Sequence, residues 1–134
     1  MSALRLDIVT PDKTIVSTPV VIAVCPGAEG EFGVLKDHIS LLSALKIGAL
    51  RYRTESGEET HVFVSGGFAD VNNNVITVLA ESAELAKDID VARAEAAKKR
   101  AEERLASNAD NVDIARAQAA LTRAVTRLSL ARAG

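Results

Sequence analysis

Six arginines in the last third of the chain form two identical ladders: Arg93, Arg100 and Arg104, then Arg116, Arg123 and Arg127, each spaced i, i+7, i+11. At about 100° per residue, each triplet occupies one helical stripe roughly 40° wide. Guanidinium forks pair bidentately with phosphate oxygens and with carboxylates, so two such stripes brought face to face require an anion between them. A polyphosphate meets that requirement, and so does an acidic protein surface. A solvated face of an alanine-rich helix carries the same residues and binds nothing. Glu84 and Asp90 flank the first ladder, where they can accept hydrogen bonds from a sugar or base, or pair with the arginines.

Other chemistry is poorly provided for. His38 follows Asp37 and precedes Ser40 and Ser43, but adjacency in sequence does not make a triad, and no catalytic residue is expected. Two histidines, His38 and His61, and one cysteine, Cys25, show no zinc spacing, so no metal site is expected either. Gly27, Gly30 and Gly33 match neither GxGxxG nor GxxxxGK-Ser/Thr and read as turn glycines. Cys25 ends an apolar run and reads as a small buried hydrophobe.

The elements that must position the arginines divide the chain in two. Residues 1–87 hold all three prolines, seven of eight glycines and the four aromatic residues Phe32, Tyr52, Phe63 and Phe68. Residues 88–134 have no proline and 14 alanines in 47 positions. The first part carries 7 bases and 11 acids, net −4, and the second 9 bases and 7 acids, net +2. A domain boundary therefore belongs near Lys87.

In the first part, LRLDIV (4–9), VVIAVC (20–25), ALRYRT (49–54), HVFVS (61–65) and NVITVLA (74–80) are short β-forming runs. Turn chemistry separates them at TPDK (10–13), PGAEGEFG (26–33), ESGE (55–58), GG (66–67) and NNN (72–74). Many short strands between such turns favour a small sandwich or flattened barrel. In the second part, Asp90 caps a helix running to about Ala106, and SNADN (107–111) supplies a stop and a new cap. Ile114, Leu121, Val125 and Leu128 form one apolar stripe on a second helix, and the short link makes an antiparallel hairpin. The first helix has little beyond alanine, Val91 and Leu105 to bury, so the hairpin is expected to be conditionally stable, held by a partner or a ligand.

Length and composition bound the function. A chain of 134 residues with 48% hydrophobic content is one domain, or a domain with an appendage, able to bury a core. Net charge −2, an acidic first half and four aromatic residues argue against a nucleic-acid surface. A single cysteine excludes an internal disulfide and fits a reducing compartment. With no apolar run near 18 residues and no leader pattern, the expectation is a soluble cytosolic protein whose membrane association runs through partners, without insertion.

The ordered segments LRLDIVTPDKTIVS, GAEGEFGVLKDHISLLSALKIGALR, VSGGFADVNNNVITVLAESAE and IDVARAEAAKKRAEERL resemble the epsilon subunit of a bacterial or chloroplast F-type ATP synthase, over essentially the whole chain. Phe32 stands where family members commonly have leucine or isoleucine. The resemblance implies an N-terminal antiparallel sandwich of about ten strands (1–87) and a C-terminal antiparallel two-helix hairpin (88–134). It implies a non-catalytic rotor subunit on the cytoplasmic face of the bacterial inner membrane, needing no cofactor, that couples proton flow to ATP synthesis. The sandwich would contact the gamma subunit and the ring of c subunits, with Glu31 and His38 inheriting an interface role. The hairpin would extend toward the alpha and beta subunits to block ATP hydrolysis. Some members bind ATP in the folded hairpin through an Ile/Leu-Asp-x-x-Arg-Ala motif, matched here by Ile89, Asp90, Arg93 and Ala94. The accompanying site residues match Glu84, Arg100, Arg123 and Arg127. A free-standing ATP-sensing module using the same hairpin is the alternative.

Overall fold

The computed structural model describes residues 3–107 and 113–133. Period-two alternation between turn residues resolves into ten strands: β1 (Arg5–Val9), β2 (Thr14–Pro19), β3 (Ile22–Gly27), β4 (Gly30–Leu35), β5 (Leu41–Ala44), β6 (Gly48–Arg53), β7 (Glu59–Ser65), β8 (Phe68–Asn72), β9 (Val75–Leu79) and β10 (Ser82–Leu85). They make two five-stranded sheets, ordered β2-β1-β9-β8-β5 and β10-β7-β6-β3-β4. All neighbours are antiparallel except β1 and β9, which run parallel. That one parallel pair arises because β9, the return strand of the β8–β9 hairpin, lies beside β1 and runs in the same direction.

Inward positions of both sheets close one core. Leu6, Ile8, Ile76 and Val78 from the first sheet meet Leu50, Val62 and Val64 from the second, all fully buried. Cys25 belongs to this core, where burial pushes its thiol up to about 12. Leu50 and Tyr52 point inward from β6 while Arg51 and Arg53 stay outside, as the alternation requires. Every buried member of this core lies between Leu4 and Ala83, so the sandwich contains its own core without the hairpin.

Turn chemistry explains the connections. Asn73 and Asn74 both adopt positive φ, 51° and 63°, and close the two-residue β8–β9 hairpin, whose backbone twist needs left-handed residues. Gly67, at φ 101°, carries the chain from one sheet to the other so close to β9 that a Cβ there would run into the Leu79 carbonyl. The stretch 26–33 is not one long turn. β3 runs on to Gly27, Gly27 pairs with Gly30 across a two-residue turn, and Gly33 lies inside β4 opposite Val24.

After β10, a single 3₁₀ turn (Ala86–Asp88) leads into α1 (Val91–Ala106), and α2 (Ile114–Ala133) returns beside it. Asp90 caps α1, its Oδ1 accepting from the Arg93 backbone N–H at 3.0 Å. Ser107 closes the helix through its Oγ, which donates to the Arg104 carbonyl at 2.9 Å. At the start of α2 the Asp113 Oδ1 accepts from the Arg116 N–H at 3.0 Å, two residues beyond the 107–111 stretch expected to supply the cap. Positions 108–111 of that stretch lie outside the described residues.

The buried face of α2 also differs from the expected stripe. Leu128 is buried and Leu121 half-buried as expected, but Ile114 and Val125 are exposed and Ala117 and Ala124 are buried in their place, a face rotated by roughly 50°. Val91 is likewise exposed, and the buried residues of α1 are Ala94 and Ala101. Small side chains let two helices approach closely, so the buried faces are built mainly from alanines, with Leu128 among them, and Val91, Ile114 and Val125 are left outside. Leu130, on the other flank of α2, packs with Phe63 and Ile89 in a small second core that joins hairpin to sandwich.

Candidate functional site

The outer face of the second sheet positions the candidate site. Inward alternation of Val62 and Val64 forces Phe63 outward on β7, and the β10–β7 register sets Glu84 directly opposite it. The hairpin lies over this face, with α2 against β6 and β7. Its docking leaves a cavity of about 460 Å³ lined by Asp12, Ser82, Glu84, Asp90, Arg93, Ala94, Ala97, Arg100 and Arg127. Sites for small organic ligands commonly occupy about 300–1,000 Å³.

Three arginines and three carboxylates thus face one hollow. Arg127 is committed: its Nε donates to Glu84 Oε1 at 2.5 Å, and its guanidinium carbon lies 4.3 Å from the centre of the Phe63 ring. Asp90 is partly committed through the helix cap. The side chains of Arg93 and Arg100 and the carboxylate of Asp12 have no hydrogen-bond or ion-pair partner among the described residues. Arg93 and Arg100 lie two turns apart on α1, with the small residues Ala94 and Ala97 between them on the cavity wall. Uncommitted cations on one wall and carboxylates on others suit a ligand that is anionic at one end and rich in hydroxyl or amine donors at the other.

Of the eight residues expected at a ligand site, Glu84, Asp90, Arg93, Ala94, Arg100 and Arg127 come together around this cavity. Ile89 and Arg123 do not line it. Ile89 is buried against Phe63 and Leu130, where it joins the hairpin to the sandwich. Arg123 lies half-buried one turn before Arg127. The two ladders do not meet along their full lengths, because Arg104 and Arg116 stay exposed and away from the hollow. Sequence reasoning missed Asp12, Ser82, Ala97 and Phe63. Only Phe63 carried a signal: an aromatic residue on the polar phase of a strand whose other phase is core.

Glu31 and His38 lie apart, near opposite ends of β4. Glu31 pairs with Arg51 across the second sheet at 3.1 Å. His38 is half-buried, its Nδ1 2.7 Å from the Ile39 carbonyl oxygen. Beside it, the Asp37 N–H donates to Asn74 Oδ1 at 2.6 Å and the Asn74 side-chain amide donates back to Asp37 at 3.2 Å, which fixes the β4–β5 loop against the β8–β9 turn. No group of three or more metal-ligating side chains occurs among the described residues, and no described helix is long and apolar enough to cross a membrane.

Residues 3–86 match the family model for the ATP synthase delta/epsilon chain beta-sandwich domain, and residues 87–132 match that for its long alpha-helix domain. The chain belongs to the ATP synthase delta/epsilon chain family. An ATP synthase epsilon chain of Nitratidesulfovibrio vulgaris is 61% identical over 104 residues, covering 78% of this chain and 77% of its own. The epsilon chain of Lawsonia intracellularis is 53% identical over 103 residues, covering 77% of each. Among solved structures, a chain of the Euglena gracilis mitochondrial ATP synthase OSCP/F1/c-ring assembly superposes with a TM-score of 0.81 at 27% identity, covering 94% of this chain and 79% of that one. A chain from the Tetrahymena thermophila mitochondrial ATP synthase central stalk and c-ring, at 16% identity and a TM-score of 0.60 over 98% of this chain and 96% of that one, shares the fold. As an epsilon chain of that family, this protein is a stalk subunit of the complex rather than a catalytic one.

Proposed function

We propose that this chain is a rotor subunit of a proton-translocating ATP synthase whose C-terminal hairpin senses ATP and controls hydrolysis. Family membership supports the stalk role, in which the sandwich packs on the gamma subunit and touches the c-ring, with Glu31 and His38 on the contacting surface. The complex holds the chain peripherally at the membrane, on the cytoplasmic face in a bacterium.

The observation that carries the regulatory part is the cavity between α1, α2 and β10, where Arg93, Arg100 and Arg127 converge with Glu84 and Asp90. ATP bound there would neutralise the arginines and tie α1 to the sandwich. Without it, the hairpin is retained by a small second core and one part-buried ion pair. Released, helices of 16 and 20 residues span roughly 54 Å end to end, long enough to reach from the stalk to the alpha and beta subunits. Ligand at 100 times its dissociation constant adds about 2.7 kcal/mol to the folded arrangement, so ATP switches the hairpin when the two states lie within a few kcal/mol of each other.

Truncation after Lys87 in the assembled enzyme tests the function, since the sandwich keeps its whole core. Hydrolysis should rise while coupling to proton flow survives. Unchanged hydrolysis would remove the inhibitory role. Failure of the full chain to join the gamma subunit would favour a free-standing ATP-sensing module.

A further inference from the structure

We infer that Phe63 is a positioning residue of the ATP site: with Glu84 it forms a seat that fixes the Arg127 guanidinium and leaves its outer nitrogens for phosphate. This inference rests on the ATP reading of the cavity. Phe63 and Glu84 are direct cross-strand partners of β7 and β10 and share the face covered by the hairpin. The ring lies beneath the guanidinium at 4.3 Å, and the carboxylate takes the Nε–H at 2.5 Å. Arg127 is thereby held from two directions, while neither Nη has a hydrogen-bond partner among the described residues. Those two nitrogens are the pair that meets two phosphate oxygens end-on.

The seat is part of the docking surface itself. Phe63 is completely buried, and the same ring packs on Ile89 and Leu130. Ile89 immediately precedes the α1 cap Asp90, and Leu130 lies one turn beyond Arg127 on α2. One side chain of the sandwich therefore sets both where the hairpin lands and where one phosphate-facing cation stands. A cation over a desolvated ring gains more than at an exposed site, and a ring with an added hydroxyl keeps that interaction where an aliphatic side chain does not.

The test uses the full chain and compares Phe63→Leu, Phe63→Tyr, Arg127→Gln and Phe63→Leu/Arg127→Gln by ATP titration and by the Arg127 Nε–H resonance. In the wild type that resonance should be shifted by the ring current and protected by Glu84 before any ATP is added, and Phe63→Leu should abolish the ring-current shift. ATP affinity should fall about tenfold in Phe63→Leu and stay within about twofold in Phe63→Tyr. Phe63→Leu keeps most of the docking volume, so the double variant should bind only slightly more weakly than Arg127→Gln alone, by much less than the roughly tenfold that Phe63→Leu costs in the wild type. Losses that multiply in the double variant, or an unshifted wild-type resonance, overturn the inference while the ATP site stands. A wild-type chain with the shifted resonance but no saturable ATP binding overturns both.

Discussion

Replacing Leu130 with alanine should undock the hairpin without unfolding the sandwich. Leu130 is 7% exposed and shares its small core with Phe63 and Ile89, whereas the main core holds neither Leu130 nor any other helical residue. A buried Leu→Ala change costs about 2–5 kcal/mol, and a cluster with only partly buried neighbours belongs at the low end. About 2 kcal/mol shifts the docked-to-undocked ratio roughly 30-fold. If docking is worth only a few kcal/mol, most of the hairpin is then released, and apparent ATP affinity falls in proportion to the docked fraction that remains. Amide hydrogen exchange reads both effects: amides of α1 and α2 should lose protection while those of β1, β6, β7 and β9 keep theirs, and added ATP should restore part of the helical protection. A uniform loss of protection across sandwich and hairpin would refute the reasoning, because it would make the second core an integral part of one cooperative unit.

Gly67→Ala should destabilise the sandwich by about 3 kcal/mol or more, seen as a lowered midpoint in urea, because the new Cβ meets the Leu79 carbonyl at a φ of 101°. Cys25 sets an alkaline limit. Its thiol is raised in the folded state from 9.0 to about 12 by burial, so the unfolded chain releases its proton first, and this contribution to stability is intact below pH 9 and is lost progressively as pH rises toward 12. Cys25→Val should flatten that part of a stability-versus-pH curve, and an unaltered alkaline slope would reject the assignment.

Much of the fold was legible because local chemistry and tertiary demand agree. The Leu50/Tyr52 alternation, the paired asparagines at the β8–β9 turn and the Asp90 cap each act within a few residues. The strands β2, β4, β5, β8 and β10 were not individually legible. They are short, or carry Gly, Pro or Ser, and their pairing is decided by neighbours far away in the chain. The helix seam was misread for a related reason. Ile114 and Val125 stand out in a hydropathy pattern, yet close helix approach selects the alanines at 117 and 124. In the site, the charged residues of α1 were legible from helical spacing. Asp12, Ser82 and the separation of Arg123 from the cavity depend on how hairpin and sandwich dock, which no local pattern encodes. Ile89 shows the converse: grouped with the ligand residues by its place in the sequence, it packs against Phe63 and Leu130.

In the proposed site, Arg93, Arg100 and Arg127 hold ATP while Arg104 and Arg116 stay outside it. Titration of the full chain with ATP, followed by amide chemical shifts, tests it directly when the wild type is compared with Arg100→Ala and Arg116→Ala. The expected result is saturable binding that Arg100→Ala weakens by about tenfold or more, the scale of lost hydrogen bonds to a charged group, and that Arg116→Ala leaves unchanged. No saturable shift at millimolar ATP, or equal weakening by the two substitutions, would contradict it.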